Sequence, residues 1–461
     1  MNLLHLAVRL RLVLALLVAI QIVPAALAEN KKTPAIAKPT LGVDVKSPEY
    51  CGACHPRILE EWKSSEMGQD LSNEHVYQFY TATNAKGEKD GRGYRGKHPD
   101  KAGECADCHV PDLVMRQHKK TGEDVDLGVA MMEKSDHGIS CYFCHTMSDV
   151  KTPLGANGKY PERIFQKVTQ DPRRRIHGPR GKTGKEFHPS GTVKGALVKS
   201  SQMCSACHLN QEENVIAIST PLDWEKAVKD GHTTETCQGC HMPLHSEAVE
   251  VAVGQPKRKG VRSHVFPGSH DKTLLEKALD LKLDAGVAEG VVTVNTIVEN
   301  VGAGHRVPGS GPIRHVLLKI DVTDDAGKPL AYAGDPKGLL PPLAGMGNPQ
   351  TRQRGPLDWA GMPGRFYGKV LASAVDPKTG QRRMGVGGFD AEIIAVDTTL
   401  EPKKPDAGRF QFKLDPAYKG KVNVSAQLVY RWSYKPLADS KGWKLEDRPM
   451  KSAQATVVVG G

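Results

Sequence analysis

Cys51-Gly52-Ala53-Cys54-His55 is the first of five stretches that share the pattern Cys-x-x-Cys-His. The second to fifth motifs, numbered in chain order, are Cys105/Cys108/His109, Cys141/Cys144/His145, Cys204/Cys207/His208 and Cys237/Cys240/His241. Together they use all ten cysteines of the 461-residue chain. This pattern is the attachment signature of c-type haem, in which two thiols bond the porphyrin and the following imidazole ligates the iron. The sequence therefore predicts five covalently bound haem c groups with five proximal histidines.

Other uses of paired cysteines explain the pattern less well. Ten cysteines in an exported chain would allow five disulfides, and Cys-x-x-Cys pairs also hold zinc or form thioredoxin-like redox sites. None of these alternatives requires a histidine immediately after each pair. The five histidines therefore favour haem.

The N-terminus has the features of a secretory signal peptide. Arg9 and Arg11 precede an apolar run, Leu12 to Val23, and Ala26-Leu27-Ala28 forms a cleavage site. The alternative, an uncleaved anchor, is disfavoured because the run is short for a membrane span. We expect a signal peptide at 1–28, a flexible leader at 29–46 and no integral membrane segment after cleavage. The mature protein is predicted to be periplasmic or exported to the cell surface.

The chain carries a formal net charge of +11. Loss of Arg9 and Arg11 and the gain of two propionates per haem would bring the reduced protein close to neutrality. The basic residues are therefore interpreted as propionate partners, and no nucleic-acid binding is predicted. The segment Lys151 to Lys199, with Arg173, Arg174, Arg175, Lys182 and Lys185, is either a solvated loop or a surface that pairs with propionates or docks an acidic redox partner.

The chain divides at about residue 272. Residues 47–272 hold every motif, at a density that leaves room for short helices and loops, including a helical pattern from His55 to Leu71. A helix from Thr273 to Leu283 should lead into a cysteine-free region of short strands and Gly/Pro-rich turns, which indicates a β-sandwich at 273–461. The expected fold class is α+β. The predicted strands are Val291–Val298, His315–Val322, Tyr367–Ala374, Ala391–Asp397, Arg409–Leu414, Val422–Tyr434 and Ala453–Val459.

The surroundings of the motifs resemble the cytochrome c-554 family, which is related to hydroxylamine oxidoreductase. The matching stretches are Trp62-Lys63-Ser64-Ser65-Glu66-Met67, Gly138-Ile139-Ser140, Cys204 to Asn210, Cys240-His241-Met242-Pro243 and, after the motifs, Asn300 to Pro308. The family carries W-x-x-S-x-H in the first stretch, and its histidine ligates the iron of the third motif. Here Met67 takes that position, so the resemblance implies either a thioether ligand of raised potential or a packing residue.

Distal ligands must come from the remaining histidines. The resemblance implies His177 for the first haem and a ligand near His188, which precedes the fourth motif. His137 precedes the third motif, and His264 follows the last motif and is a candidate for the fifth haem. His305, in a Gly/Pro turn, is a further candidate that would cap a haem from the β region. The reserves are His118, His232 and His270.

The sequence favours an electron carrier over a catalyst. A chain of haems passes single electrons between redox partner proteins, and the axial ligands grade the potentials. The alternative is an oxidoreductase for a small nitrogen compound of the hydroxylamine or nitrite type, which needs a haem with an open position. A third interpretation is a haem-filament subunit, in which one chain lends a histidine to its neighbour, and the composition is compatible with an oligomer.

Overall fold

The computed structural model describes residues 46–134, 137–152, 159–181, 188, 190–212, 215–309, 311–347 and 353–460. The predicted signal peptide, nearly all of the leader, Lys182 and Lys185 lie outside these ranges. The described chain contains both α-helices and β-strands, so the predicted α+β class is confirmed. None of the helices in the described ranges combines the length and apolar character that a membrane span needs.

Short helices dominate the motif-bearing region, as its density of motifs predicts. They are α1 Pro48–Gly52, α2 Pro56–Lys63, α3 Glu74–Thr81, α4 Tyr94–Lys97, α5 Cys105–His109, α6 Pro111–Thr121, α7 Leu127–Glu133, α8 Cys141–Thr146, α9 Ile164–Lys167, α10 Gln202–His208, α11 Thr220–Lys229 and α12 Cys237–His241. Three two-stranded sheets lie between them: β1 Met147–Val150 with β2 Val168–Gln170, β3 Ile176–Gly178 with β4 Thr192–Lys194, and β5 Leu209–Glu212 with β6 Val215–Ser219.

The helix predicted from His55 to Leu71 is shorter than expected. It ends at Lys63, and the following turns place Met67 outside any helix. Gly68 explains the ending, because a Cβ there would lie 2.1 Å from the carbonyl oxygen of Trp62. The Ser65 hydroxyl accepts the Gly68 N–H at 3.1 Å and stabilises the turn.

Two sheets form the C-terminal region. The four-stranded sheet has the order β10-β13-β8-β7, and the five-stranded sheet has the order β12-β11-β9-β14-β15. The strands are β7 Leu279–Ala288, β8 Val291–Asn300, β9 His315–Thr323, β10 Ala331–Tyr332, β11 Gly364–Ala372, β12 Ile393–Asp397, β13 Pro405–Lys413, β14 Gly420–Arg431 and β15 Arg448–Val459. Helices α13 Lys272–Ala278 and α14 Lys435–Lys441 flank them.

The sheets pack face to face around one apolar core. Val292, Val294 and Phe410 of the four-stranded sheet meet Val316 and Leu318 of the five-stranded sheet in a single buried cluster. Buried residues alternate with more exposed ones along β8 and β13, as expected for sheets with one face on a core. The two sheets share this core, while a separate β-sandwich domain at 273–461 and its boundary at residue 272 stay predictions.

Strand β7 corrects the predicted helix from Thr273 to Leu283. The helix ends at Ala278, and the chain continues directly into β7 at Leu279. The reason is the local period, because Leu279 and Leu281 are buried while Asp280 and Lys282 are more exposed. Alternation of this kind places one side of a strand on the core.

The sheet region contacts the motif region through a buried lysine. Lys441, at the end of α14, has a fully buried side chain. Its ammonium donates to the carbonyl oxygens of Gln78 and Thr83 and to the carboxylate of Asp90, at 2.9–3.1 Å. The Trp443 indole donates to the Gln78 side chain at 2.5 Å. These bonds fix the sheets against α3 and the loop after it.

Candidate haem-binding site

Helical geometry brings the three reactive groups of each motif to one side. Positions i, i+3 and i+4 of a helix share a face, and these are the positions of the two cysteines and the histidine. Motifs two to five are helical from the first cysteine to the histidine, and the first motif begins in α1 and ends in a turn. Ser140 caps α8 by accepting the Phe143 N–H at 3.2 Å. All ten cysteines are free thiols, as covalent haem attachment requires.

Three proximal histidines face a second imidazole across a gap. The ring centres of His55 and His188 are 6.3 Å apart, and the ring planes differ by 28°. His145 and His264 have the same spacing and angle. The rings of His241 and His305 are 6.4 Å apart and 14° from parallel.

This spacing fits one iron atom between each pair of rings. A metal–nitrogen bond of about 2.0 Å on each side, plus about 1.1 Å from nitrogen to ring centre, separates two ligating imidazoles by about 6.2 Å. Direct stacking would bring the rings much closer, as the 3.5 Å between His118 and Phe165 shows. The three pairs therefore have the geometry of two axial ligands on one haem iron.

Four of the six paired rings lie in surroundings that favour the neutral imidazole, the form that binds metals. Burial lowers the pKa of His145, His188 and His305. Burial, together with the nearby charge of His145, lowers the pKa of His264 to about 4. The Nδ1 atom of His305 donates to the Arg306 carbonyl oxygen at 2.7 Å, which orients this ring.

Two candidate distal ligands lie opposite the proximal histidines of motifs distant in the sequence. His264 faces the third motif, whereas its position after the last motif suggested the fifth haem. His188 precedes the fourth motif but faces the first. Since His264 takes the place opposite His145, the structure does not put Met67 there, and Met67 lies half-buried in a turn.

His177 has a different role from the predicted one. Its Nε2 lies 3.0 Å from the Asp171 carboxylate, while His188 is the imidazole that lies opposite the proximal histidine of the first motif. Burial disfavours ionisation of Asp171, but hydrogen bonds from Arg175 and His177 hold its pKa well below the usual range. The backbone of His177 does serve the third motif, because its carbonyl oxygen accepts the Nδ1 proton of His145 at 2.7 Å.

The remaining candidates lie in separate places. A Cβ at Gly138 would lie 3.6 Å from the His109 carbonyl oxygen, so neighbouring His137 is near the second motif, and its ligation stays a prediction. His118 stacks on Phe165. His232 is exposed, and the Nδ1 of His270 is 3.7 Å from the Glu66 carboxylate.

His109 and His208 have other surroundings. Among the described residues, neither forms an imidazole pair of the 6.3 Å kind. The Nδ1 of His109 lies 2.8 Å from both carboxylate oxygens of Asp70. Burial opposes the charged ring, yet Asp70 outweighs it and raises the pKa of His109 to about 9. Burial lowers the pKa of His208 to about 4, assisted by the positive charges of His241 and Arg314.

Contacts at or beside the cysteines connect the five motifs into one network. The thiols of Cys51 and Cys141 are hydrogen-bonded, which joins the first and third motifs. The Cys108 sulfur lies 3.8 Å from the Cys207 carbonyl oxygen, which joins the second and fourth. The fourth motif is joined to the fifth by a hydrogen bond between the Cys204 and Cys237 thiols. It is joined to the third where the Gln202 side chain of α10 donates to the Val150 carbonyl oxygen of β1, the strand that follows the third motif. The fourth motif is therefore the hub.

Comparison with known proteins shows the fold. No protein-family model matches the sequence, and no curated protein sequence matches it. The structure is similar to that of a penta-heme cytochrome c552 from Thermochromatium tepidum, with a TM-score of 0.60 and 17% identity over 89% of this chain and 98% of that chain. A structure of AvmM, which catalyses macrocyclization in alchivemycin A biosynthesis, covers 40% of this chain at 10% identity, and its TM-score of 0.18 is too low to inform the fold.

Proposed function

We propose that this protein is an exported pentahaem c-type cytochrome that transfers electrons between redox partner proteins. The observation that carries this proposal is the set of three imidazole pairs spaced for one iron each, on motifs that bind haem covalently. Two strong protein ligands leave an iron no position for substrate, so these three centres suit electron transfer. The fold shared with a penta-heme cytochrome supports the same interpretation.

The proposed path for electrons follows these contacts between the motifs. Each motif's cysteines bond the vinyl edge of its porphyrin, so cysteines in contact bring the edges of two haems together. The first haem connects through the third to the fourth, and the fourth also connects to the second and fifth. Removal of the fourth haem, the hub, should therefore divide the path, whereas removal of the first haem, at one end, should not.

The test compares two variants that each lose one haem. In the hub variant, Cys204 and Cys207 become alanine; in the end variant, Cys51 and Cys54 become alanine. Intact mass of the mature protein should show five haems in the wild type and four in each variant. After flash reduction, electron equilibration among the haems should remain fast in the end variant and become incomplete or much slower in the hub variant.

Circular dichroism controls for folding of both variants, because loss of a haem also removes buried apolar surface. Four or fewer haems in the wild type would contradict the pentahaem assignment. Equal equilibration rates in the hub and end variants would contradict the proposed path. If no exported acceptor protein reoxidises the reduced haems, the carrier role is contradicted.

A second candidate function is oxidation or reduction of a small nitrogen compound. It is favoured by His208, whose ring is not paired with another imidazole among the described residues. An iron held there by its proximal ligand alone would keep an open position for a small substrate. EPR of the oxidised protein distinguishes the two functions, because an open haem gives a high-spin signal that nitrite or hydroxylamine should perturb. A spectrum with five low-spin centres would exclude this second function.

A further inference from the structure

The proximal histidines differ in the group that accepts their Nδ1 proton. Three of them donate to backbone carbonyl oxygens at 2.7 Å: His55 to Val251, His145 to His177 and His241 to Pro267. His109 instead faces a carboxylate, with both oxygens of Asp70 at 2.8 Å. A carboxylate acceptor polarises the imidazole more strongly than a neutral carbonyl does, because it carries a full negative charge.

Asp70 is held in place for this contact. It begins the 3₁₀ turn Asp70–Ser72, and its backbone carbonyl accepts the Asn73 N–H at 3.1 Å. Its side chain is about nine-tenths buried, with 10% exposed. Low exposure of Asp70 weakens the screening of its charge by solvent.

We propose that Asp70 is a positioning residue that makes His109 a stronger electron donor than the three proximal histidines bonded to backbone carbonyls, and that it lowers the midpoint potential of the haem of the second motif. The inference deepens the proposed function and rests on it. A more basic axial ligand stabilises the ferric over the ferrous iron, so more driving force is needed to add the one electron. The reduction takes up this single electron at the iron, and no covalent bond breaks.

The contacts of the second motif determine the direction in which its haem passes an electron. The second motif joins the network at the fourth motif, through the contact of Cys108 with Cys207. A lower potential at the second haem favours transfer of its electron toward the hub.

The test is Asp70→Asn, which keeps the side-chain volume and an oxygen acceptor but removes the charge. Changes to groups that hold metal-bound histidines typically alter affinity or activity 10- to 100-fold. If the ferrous-to-ferric ratio of one haem rises 10- to 100-fold at a fixed ambient potential, its midpoint potential has risen by about 60–120 mV, because a tenfold change corresponds to 59 mV for one electron. Spectroelectrochemical titration should show this rise at one centre and near-constant potentials at the other four.

The matched control is Asp112→Asn. Asp112 is equally buried, with 4% of its side chain exposed, but its carboxylate pairs with Lys46 and Arg116. This substitution removes the same charge without touching an imidazole, so it should shift no single haem in this way. An unchanged titration for Asp70→Asn, or the same shift in both variants, would overturn the proposal.

Intact mass separates this proposal from the proposed function. A wild type with fewer than five haems contradicts the function, whereas five haems with an unmoved potential contradict only the role of Asp70. Should Asp70→Asn fail to take up five haems, Asp70→Ser, a smaller neutral side chain that keeps an oxygen acceptor, takes its place in the titration. A rise of about 60–120 mV at one centre supports the proposal, and five unmoved potentials overturn it.

Discussion

Substitution of His305 by alanine should convert one haem from low spin to high spin. The ring of His305 lies 6.4 Å from that of His241, the spacing expected for two ligands on one iron. The loop that carries it joins two strands of the sheet region, so the prediction tests whether the sheets supply a ligand to the haem region. Without the ring, the iron of the fifth motif would keep only its proximal ligand.

The magnitude follows from the number of imidazole pairs. Three pairs are present among the described residues, so loss of one should lower the bis-imidazole low-spin signal in quantitative EPR by one spin per protein. One new high-spin centre should appear, and the potential of that haem should rise because the ferric state loses an imidazole donor. Addition of free imidazole should restore the low-spin signal.

The control is His232→Ala, which removes an exposed histidine just before the fifth motif. It should leave the spin count unchanged. If the fifth haem is not attached in His305→Ala, His305→Met retains a weaker ligand and should keep the centre low spin at a higher potential. An unaltered EPR spectrum for His305→Ala would show that the ring is packing, and the argument from spacing would fail for all three pairs.

Two further predictions concern stability. Lys441→Met should lower the free energy of unfolding by about 3–5 kcal/mol, because it leaves Asp90 and two carbonyl oxygens without their buried partner. The control is the exposed Lys404→Met, which should lower it by less than about 1 kcal/mol in the same denaturation experiment. Asn300→Ala should cost about 1–3 kcal/mol and turn part of the fifth haem high spin in EPR, because the fully buried Asn300 amide donates to the His305 and Leu400 carbonyl oxygens. The exposed Asn423→Ala is its control, and equal effects of the two substitutions would contradict the role given to the Asn300 amide.

Local periodicity explains which parts of the fold the sequence predicts. The cysteine and histidine spacing of the motifs is the spacing of a helical face, and the structure has helices there. Alternation predicted the strands from Val291 onward, with ends that differ by a few residues. Strand β7 was missed because a helical start, α13, runs into it without a Gly or Pro break.

The distal partners could not be predicted in the same way, because they depend on tertiary contacts. His188 faces the first motif past the second and third, and His264 faces the third motif past the fourth and fifth. Nothing in the local sequence encodes such long-range pairing. His305 has a usable signal, since it lies in a Gly/Pro-rich turn at the end of a strand, where backbone and side chains are free to face a cofactor.

Two segments outside the motifs supply groups that face or orient the proximal histidines. The segment 151–199 carries His188 and the His177 carbonyl, and the segment 242–271 carries His264 and the carbonyls of Val251 and Pro267. Each segment thus contributes both a facing imidazole and an acceptor for a proximal histidine. The sequences of these segments are polar and irregular, as in surface loops. They lack an apolar pattern because the apolar surface that they would cover is supplied by the haems and not by the chain. Cofactor binding and ordering of these segments should therefore be coupled, as they are in small metal-binding domains.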